Sequence, residues 1–530
     1  LIIILLKKDK EEVKKIVNRI ITLGLFVYVI LFISSIFINK GRILENYDEF
    51  NHWAVIIKNM FLYNTYGTNP ESVVAFNEYP PFTAVFQYLF LSIHKIYRED
   101  IIIVAQNILY LSIIIPITKC IEWNKSLKKL IIIVPIIVFV PMIFYENFYL
   151  DILVDGILGI MFAYVIYSAF QNEESGFKYL KIFVGEIMLC LTKTSGIGLA
   201  VLSVFIILMK LIIEKNNKES LKEIKYLMVV ILITAFLTSI WYIKVEGTQK
   251  RWNFSEYIEA EEQMTEAQEN ITKNFAYATV FKQIITERNF TVLTTFLLLI
   301  CLQIYTSSKV REENYKYYSL AMALSVPIYL IGLFITYSKI FDIQEARMLT
   351  SFERYTSTIL LAYAMFQMMV FSRIKYDKDL KNIIVTLSIV FALIPMANIQ
   401  EKYLDGKNYI MTSNINRNIY TKIKRYKDIF ESADKILYIY GSKMNMEYLK
   451  AINEYEMMPI RIEQMLTGSF IDQKSFEDIV KDYTYVYIYR IDEEEISKIE
   501  GAFQYNYVEK DMLYKVIKHD DEILLEIVMK

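Results

Sequence analysis

The sequence predicts an α-helical polytopic membrane protein with about 11 transmembrane helices and a small extracytoplasmic α/β domain at its C-terminal end. Three observations predict it. Of the 530 residues, 55% are hydrophobic and 15% aromatic, well above a soluble domain's average. Apolar runs long enough to cross about 30 Å of hydrocarbon recur before Ile399. After Ile399 those runs stop, and short β-branched and aromatic stretches replace them.

The expected spans lie near 20–38, 101–121, 130–148, 152–170, 180–193, 196–213, 226–245, 290–306, 317–337, 354–372 and 382–399. One further apolar stretch, Phe82 to Lys95, is short and aromatic, and the charged loops decide its place. If it stays out of the crossing count, segments 7–19, 119–129, 171–181, 210–225, 307–316 and 373–381 share one side. They carry 24 Lys and Arg, against none in 146–151 and one in 192–195. The positive-inside rule makes the cation-rich side cytoplasmic. Phe82–Lys95 is therefore expected along the outer interface, as an amphipathic or re-entrant helix. The N-terminus is then cytoplasmic. The membrane region covers 1–400, with outer loops 39–100 and 246–289, and residues 401–530 form the soluble domain.

Within that domain Lys435–Gly441 and Tyr483–Arg490 read as strands, each closely followed by a helical pattern. Asp492–Ile499 has the acidic start that a helix dipole favours, and Leu513–Val516 with Ile523–Val528 reads as a closing hairpin. Net charge is −1, so nothing pulls the chain toward nucleic acid. Cys120, Cys190 and Cys301 lack ligand spacing, which argues against a disulfide framework or zinc site. No cofactor is expected, and no ligand pattern supports a divalent metal.

Chemistry-bearing residues gather at the expected outer interface. Asp48 and Glu49 follow the first span in Tyr47-Asp-Glu-Phe-Asn-His-Trp53. Aromatic neighbours can dehydrate Asp48 and raise its pKa, which suits a general base, while Glu49 suits a supporting role. A solvated loop carboxylate is the ordinary alternative for both. Asp151 and Asp155 are four apart and share a helix face, with Asp155 about a turn inside the membrane. A carboxylate there is expensive, hence a functional candidate, or else a structural partner of a nearby Tyr or Lys. Lys193, one of few cations on its side, can bind phosphate or snorkel at the interface. Arg354 and Arg347 precede a late span, with Glu345 and Glu353 available for local pairing. His52 fits an interfacial structural role better than metal ligation, because no second ligand is spaced for it. Glu186, inside a span, reads as a hydrogen bond across the bundle. Gly196 and Gly198 read as packing or turn glycines.

Five strings in this order resemble the GT-C superfamily of polytopic membrane glycosyltransferases, particularly the branch of protein O-mannosyltransferases and aminoarabinose transferases. They are Asp48-Glu49, Tyr79-Pro-Pro-Phe82, Phe148-Tyr-Leu-Asp-Ile-Leu-Val-Asp155, Leu191-Thr-Lys-Thr-Ser-Gly196 and Arg354-Tyr355. The chain departs from the pattern at Asn51-His52, where the family often has Arg, and at Thr194-Ser195, where it has Gly-Pro. The resemblance implies a multi-pass enzyme of a bacterial cell membrane. It would move a sugar from a polyprenyl-phosphate donor to a cell-envelope acceptor (wall polymer, glycolipid or protein). It also implies inversion, with Asp48 as base, Glu49 and Asp151 beside it, and Lys193 and Arg354 on the donor phosphate. Asp155, Tyr79 and His52 are the further candidates. The rival readings are a transporter or flippase of lipid-linked sugars, which would show inverted repeats and mid-membrane charges, and a non-catalytic cell-envelope protein.

The charge asymmetry generates a topological prediction. A cysteine introduced into 401–530 reacts with a membrane-impermeant thiol reagent in intact cells, and one at Lys215 does not. Protection of the C-terminal residues would overturn the orientation.

Overall fold

A computed structural model describes residues 21–69, 72–120, 127–171, 173–213, 217–246, 313–341, 343–371, 405–468, 473–497, 509–519 and 522–529, with isolated positions at 11, within 271–275 and 297–304, and at 402–403. The chain divides into two compact units. One comprises the segment up to Arg42 with Phe76–Gly406; the other comprises Ile43–Ala75 with Lys407–Lys530.

In chain order the described α-helices of eight residues or more are α1 (Leu23–Asn39), α2 (Ala54–Tyr63), α3 (Phe82–His94), α4 (Glu99–Ile114), α5 (Leu127–Phe144), α6 (Asp155–Ala169), α7 (Ser175–Cys190), α8 (Thr194–Ile213), α9 (Asn217–Val245), α10 (Glu313–Lys339), α11 (Phe352–Phe371), α12 (Gly406–Tyr420), α13 (Met446–Met457) and α14 (Gln473–Val480). Among the described residues, α1 and α4 to α11 fall on nine of the expected spans. The expected span 382–399, most of 290–306, nearly all of loop 246–289 and all but one residue of segment 7–19 lie outside the described residues. Three described helical stretches are long and apolar enough to cross a bilayer: Thr194–Ile213, Ser220–Val245 and Tyr317–Lys339. They turn large apolar side chains outward, with Phe236 at 66% and Ile243 at 69% exposure. In water each would cost about 25 cal/mol per Å² left exposed, whereas against lipid tails the cost vanishes. Helix α3 has 13 residues, about 20 Å of rise, which is short of the roughly 30 Å that a crossing needs.

Helix α6 organises the first unit. It is buried along its whole length, so it is apolar on every face and needs partners on every face. Gly159 lets it approach α11: a Cβ there would lie 2.3 Å from the Thr358 carbonyl oxygen. Tyr145, just beyond α5, fastens the same crossing by donating to the Arg354 carbonyl at 2.7 Å and meeting Thr358 Oγ1 at 2.9 Å. Helices α7 and α8 are joined by the short turn Leu191-Thr-Lys193. It closes because a Cβ on Gly196 would strike the Leu189 carbonyl oxygen at 2.0 Å. Gly196 is thus the turn and packing glycine, while Gly198 has open space. Across the same pair Ser203 donates to the Glu186 carboxylate, the hydrogen bond expected of a carboxyl in a helix bundle.

The second unit holds a five-stranded sheet in the order β2-β1-β3-β4-β5, from β1 (Ile436–Tyr440), β2 (Ile462–Thr467), β3 (Tyr485–Tyr489), β4 (Met512–His519) and β5 (Glu522–Ile527). β1 pairs in parallel with β2 and β3, while β3–β4 and β4–β5 are antiparallel. The expected strands and closing hairpin are present. β1 and β3 are buried on both faces, as strands covered on both sides must be. Leu437, Ile439, Val486 and Ile488 pack with Phe476 and Val480 of α14 on one face. Tyr438, Tyr487 and Tyr489 pack with Ile423, Tyr426 and Leu449 on the other.

Helix contacts this close make a stability prediction. Gly159→Ala and Gly196→Ala each lower the thermal midpoint in detergent, by overpacking on the order of 1–3 kcal/mol. Gly176→Ala, where nothing lies within 4 Å of the added Cβ, is the control and leaves it unchanged.

Candidate functional site

The first unit builds a charged centre from three helix starts. Asp155 is the first residue of α6, where a negative side chain complements the helix dipole, and it is 2% exposed. Lys193, just before α8, places Nζ 2.9 Å from Asp155 Oδ1. Arg354, in the first turn of α11, places Nε 3.2 Å from Asp155 Oδ2. Thus the structure brings together three candidates from strings nearly two hundred residues apart. The Asp155–Lys193 pair is the pairing that the sequence left open, and Arg354 joins it. Two cations face one carboxylate, so these three groups carry a net charge of +1 in an apolar bundle.

Phenols surround the centre. The Lys193 ammonium lies 5.0 Å from the centre of the Tyr355 ring. Tyr79 is within electrostatic reach of Lys193 and Asp155, and burial pushes its hydroxyl up to about 12, so at neutral pH it remains a donor. Its string is fixed over the α7–α8 turn: Phe82 N–H donates to the Leu191 carbonyl at 2.8 Å, Trp241 Nε1 donates to the Glu78 carbonyl at 2.9 Å, and Phe76 stacks on Tyr79. Tyr145 and Tyr329 also lie within reach of Asp155. Sequence reasoning passed over both, because the chain has 41 tyrosines, several of them inside its apolar runs, and one more gives no local signal.

Asp151 occupies the turn before α6 and accepts from the Leu153 N–H at 3.2 Å. Burial raises its carboxyl to about 7, against smaller opposing contributions that include Arg354. Burial thus favours the neutral acid at Asp151 relative to an exposed carboxylate. Arg347 is exposed, and its carbonyl accepts from Asn274.

The acidic pair belongs to the second unit. Asp48 is partly exposed and immediately precedes a π turn, Glu49–Trp53, closed by the Ala54 N–H on the Glu49 carbonyl. Such single π turns are rare in helices and are frequent at functional sites. Glu49 is fully buried, and its Oε2 accepts from the N–H groups of Glu45 at 2.9 Å and Asn46 at 2.8 Å. Its carboxylate therefore holds the backbone that leads into Asp48. His52 is buried edge-on against Trp53, 4.5 Å between ring centres. Among the described residues no group of three His, Cys, Asp or Glu is placed to hold a metal ion.

No protein-family model matches the chain, and no curated protein matches it. Among solved structures, it is similar to the crystal structure of ArnT from Cupriavidus metallidurans in the apo state, with 11% identity, 95% of this chain and 97% of that chain covered, and a TM-score of 0.45. It is also similar to ArnT from Cupriavidus metallidurans bound to undecaprenyl phosphate, with 10% identity, 87% and 93% coverage, and a TM-score of 0.40.

Proposed function

We propose that the chain is a membrane glycosyltransferase that moves a sugar from a polyprenyl-phosphate donor to an extracytoplasmic acceptor. The observation that carries the reading is the buried centre of Asp155, Lys193 and Arg354. Two cations, Lys193 and Arg354, converge on one carboxylate at helix starts, and a lipid-borne phosphate is the anion such a pair of cations would bind. Its isoprenoid tail suits the outward apolar faces of α8, α9 and α10.

The reaction needs three things from the protein. An acceptor hydroxyl attacks the anomeric carbon, the bond from that carbon to the phosphate oxygen breaks, and its electron pair leaves with the phosphate. Lys193 and Arg354 stabilise that departing charge, and Tyr79 can donate to a phosphate oxygen. Asp48 is assigned as the general base that takes the hydroxyl proton, with Glu49 fixing the turn that presents it. A single displacement inverts the anomeric centre. The N-terminus is placed in the cytoplasm and residues 401–530 outside, from the charge asymmetry.

Two experiments test this. Asp48→Asn keeps the shape of the side chain but cannot accept a proton, so transfer falls by about 10²–10⁴-fold while donor binding persists. Full activity in Asp48→Asn with a dead Asp151→Asn would move the base to Asp151, and activity in both would remove the chemical anchor. Lys193→Ala, checked for folding because Asp155 loses one cation, raises the donor KM roughly tenfold or more. An unchanged KM in folded protein would overturn the phosphate assignment.

Asp151 adds a pH prediction. Its folded pKa of about 7 lies above the unfolded carboxylate value of about 4, so the folded state binds the extra proton between those limits. Stability from this group is complete below about pH 4 and is lost as pH rises through 7. Thermal midpoints of wild type and Asp151→Asn therefore diverge between pH 5 and pH 8, with the variant the more stable at pH 8.

A further inference from the structure

Residues 43–75 run between helices of the first unit in sequence, yet they belong with 407–530 in the second. The reason is burial. In α2, Ala54, Val55 and Ile57 have no exposed surface and Ile56 has 3%, and the two rings before it, Phe50 and Trp53, are also buried. A ten-residue helix cannot cover itself on all sides.

Polar contacts then fix where the segment docks. Arg417 of α12 donates through Nε to Glu456 at 2.6 Å and through Nη1 to the Leu44 carbonyl at 3.4 Å. Its guanidinium lies 5.0 Å from the centre of the Phe50 ring and 5.5 Å from that of Tyr455. Phe50, two residues after Asp48, meets the Tyr455 ring at 5.3 Å and the Tyr448 ring at 6.1 Å. From α2, Lys58 donates to the Tyr455 carbonyl and lies 4.2 Å above that ring. Tyr409 donates to Glu45 at 2.7 Å, one residue before the Asn46 that Glu49 caps. Burial would raise the carboxyl of Glu456, but Arg417, Lys58 and Lys424 outweigh it and hold it down at about 2. The anion beneath Arg417 therefore persists throughout the physiological range.

We propose that residues 407–530 are the scaffold that positions the Asp48–Glu49 turn for reaction, with Arg417 as the positioning residue that couples them. The proposal rests on the glycosyl-transfer reading above. On it, the C-terminal residues are a working part of the enzyme and not an appended binding module.

The test uses the full chain in detergent or nanodiscs with Arg417→Met, Arg417→Lys and Glu456→Gln. Amide hydrogen exchange over 43–63 rises about tenfold or more in Arg417→Met, while exchange in α6 and α11 is unchanged. In the same variant kcat for sugar transfer falls by about tenfold or more and the donor KM stays within about twofold, because the turn is displaced and the phosphate centre is not. Arg417→Lys keeps the charge, loses the planar fork, and recovers part of both effects. Should Arg417→Met fail to fold, Glu456→Gln and Arg417→Lys carry the same readouts. Unchanged exchange at 43–63 overturns the proposal, and so does faster exchange with an unchanged kcat. A wild-type chain that transfers no sugar from any polyprenyl-phosphate donor sinks the glycosyl-transfer reading instead, and exchange then decides the scaffold alone.

Discussion

The helical unit depends on keeping one carboxylate charged inside an apolar bundle. An isolated ion at the position of Asp155 would cost several kcal/mol even after relaxation, and breaking a buried pair costs about 3–5 kcal/mol. Asp155 is compensated from two separate helix starts, by Lys193 and Arg354. Meeting that requirement dictates the rest. The starts of α6, α8 and α11 must converge, so the turn before α8 must be short and α11 must lie against α6. Gly196 permits the first and Gly159 the second, and Tyr145 clamps Arg354 and Thr358 into place.

The second unit solves a different problem with similar chemistry. Its sheet core is apolar and aromatic, complete in itself, with Tyr438 and Tyr487 registered directly across β1 and β3. What needs fixing is a short segment remote in sequence. The Arg417 guanidinium lies over Phe50 and Tyr455 while donating through two different nitrogens to Glu456 and the Leu44 carbonyl, a combination that a lysine ammonium does not reproduce. Phe50 belongs to the π turn that follows Asp48, and the buried Glu49 carboxylate ties down the backbone leading into that turn.

How much of this was legible in the sequence follows from which signals are local. Apolar runs are local, so the helices read clearly. Asp155 stood out because a carboxylate inside such a run is costly, and Lys193 because cations are scarce on its side. Their partnership was less visible, since it is made between strings nearly two hundred residues apart. Tyr145 and Tyr329 were invisible among 41 tyrosines. In the C-terminal residues β1 and β3 carry unbroken β-branched and aromatic runs. By contrast β2, Ile462–Thr467, pairs among the described residues only with β1, at the sheet edge, and includes Glu463 and Gln464, so it lacks that signature. The grouping of 43–75 with 407–530 had no local mark at all, because hydrogen bonds such as Lys58 to Tyr455 join residues almost four hundred positions apart.

If the Asp155, Lys193 and Arg354 cluster holds the donor phosphate, as proposed, its net charge bears on catalysis as well as binding. On the glycosyl-transfer reading, the donor is a phosphodiester with a single negative charge, which balances the +1 left by Lys193, Arg354 and Asp155. As the bond to the sugar breaks, charge builds on the departing oxygen toward the dianion of a monoester. A centre with a fixed positive charge in a low dielectric therefore stabilises the leaving group more than the bound donor, and only such differential stabilisation raises the rate of the chemical step. Asp155 sets the size of that difference. Without it two bare cations would hold donor, leaving group and product all more tightly, and product would be slow to leave. With it, each cation keeps its geometry through an ion pair while a net positive charge remains for the departing oxygen. On that reading the buried carboxylate orients the two cations first and limits their grip on donor and product.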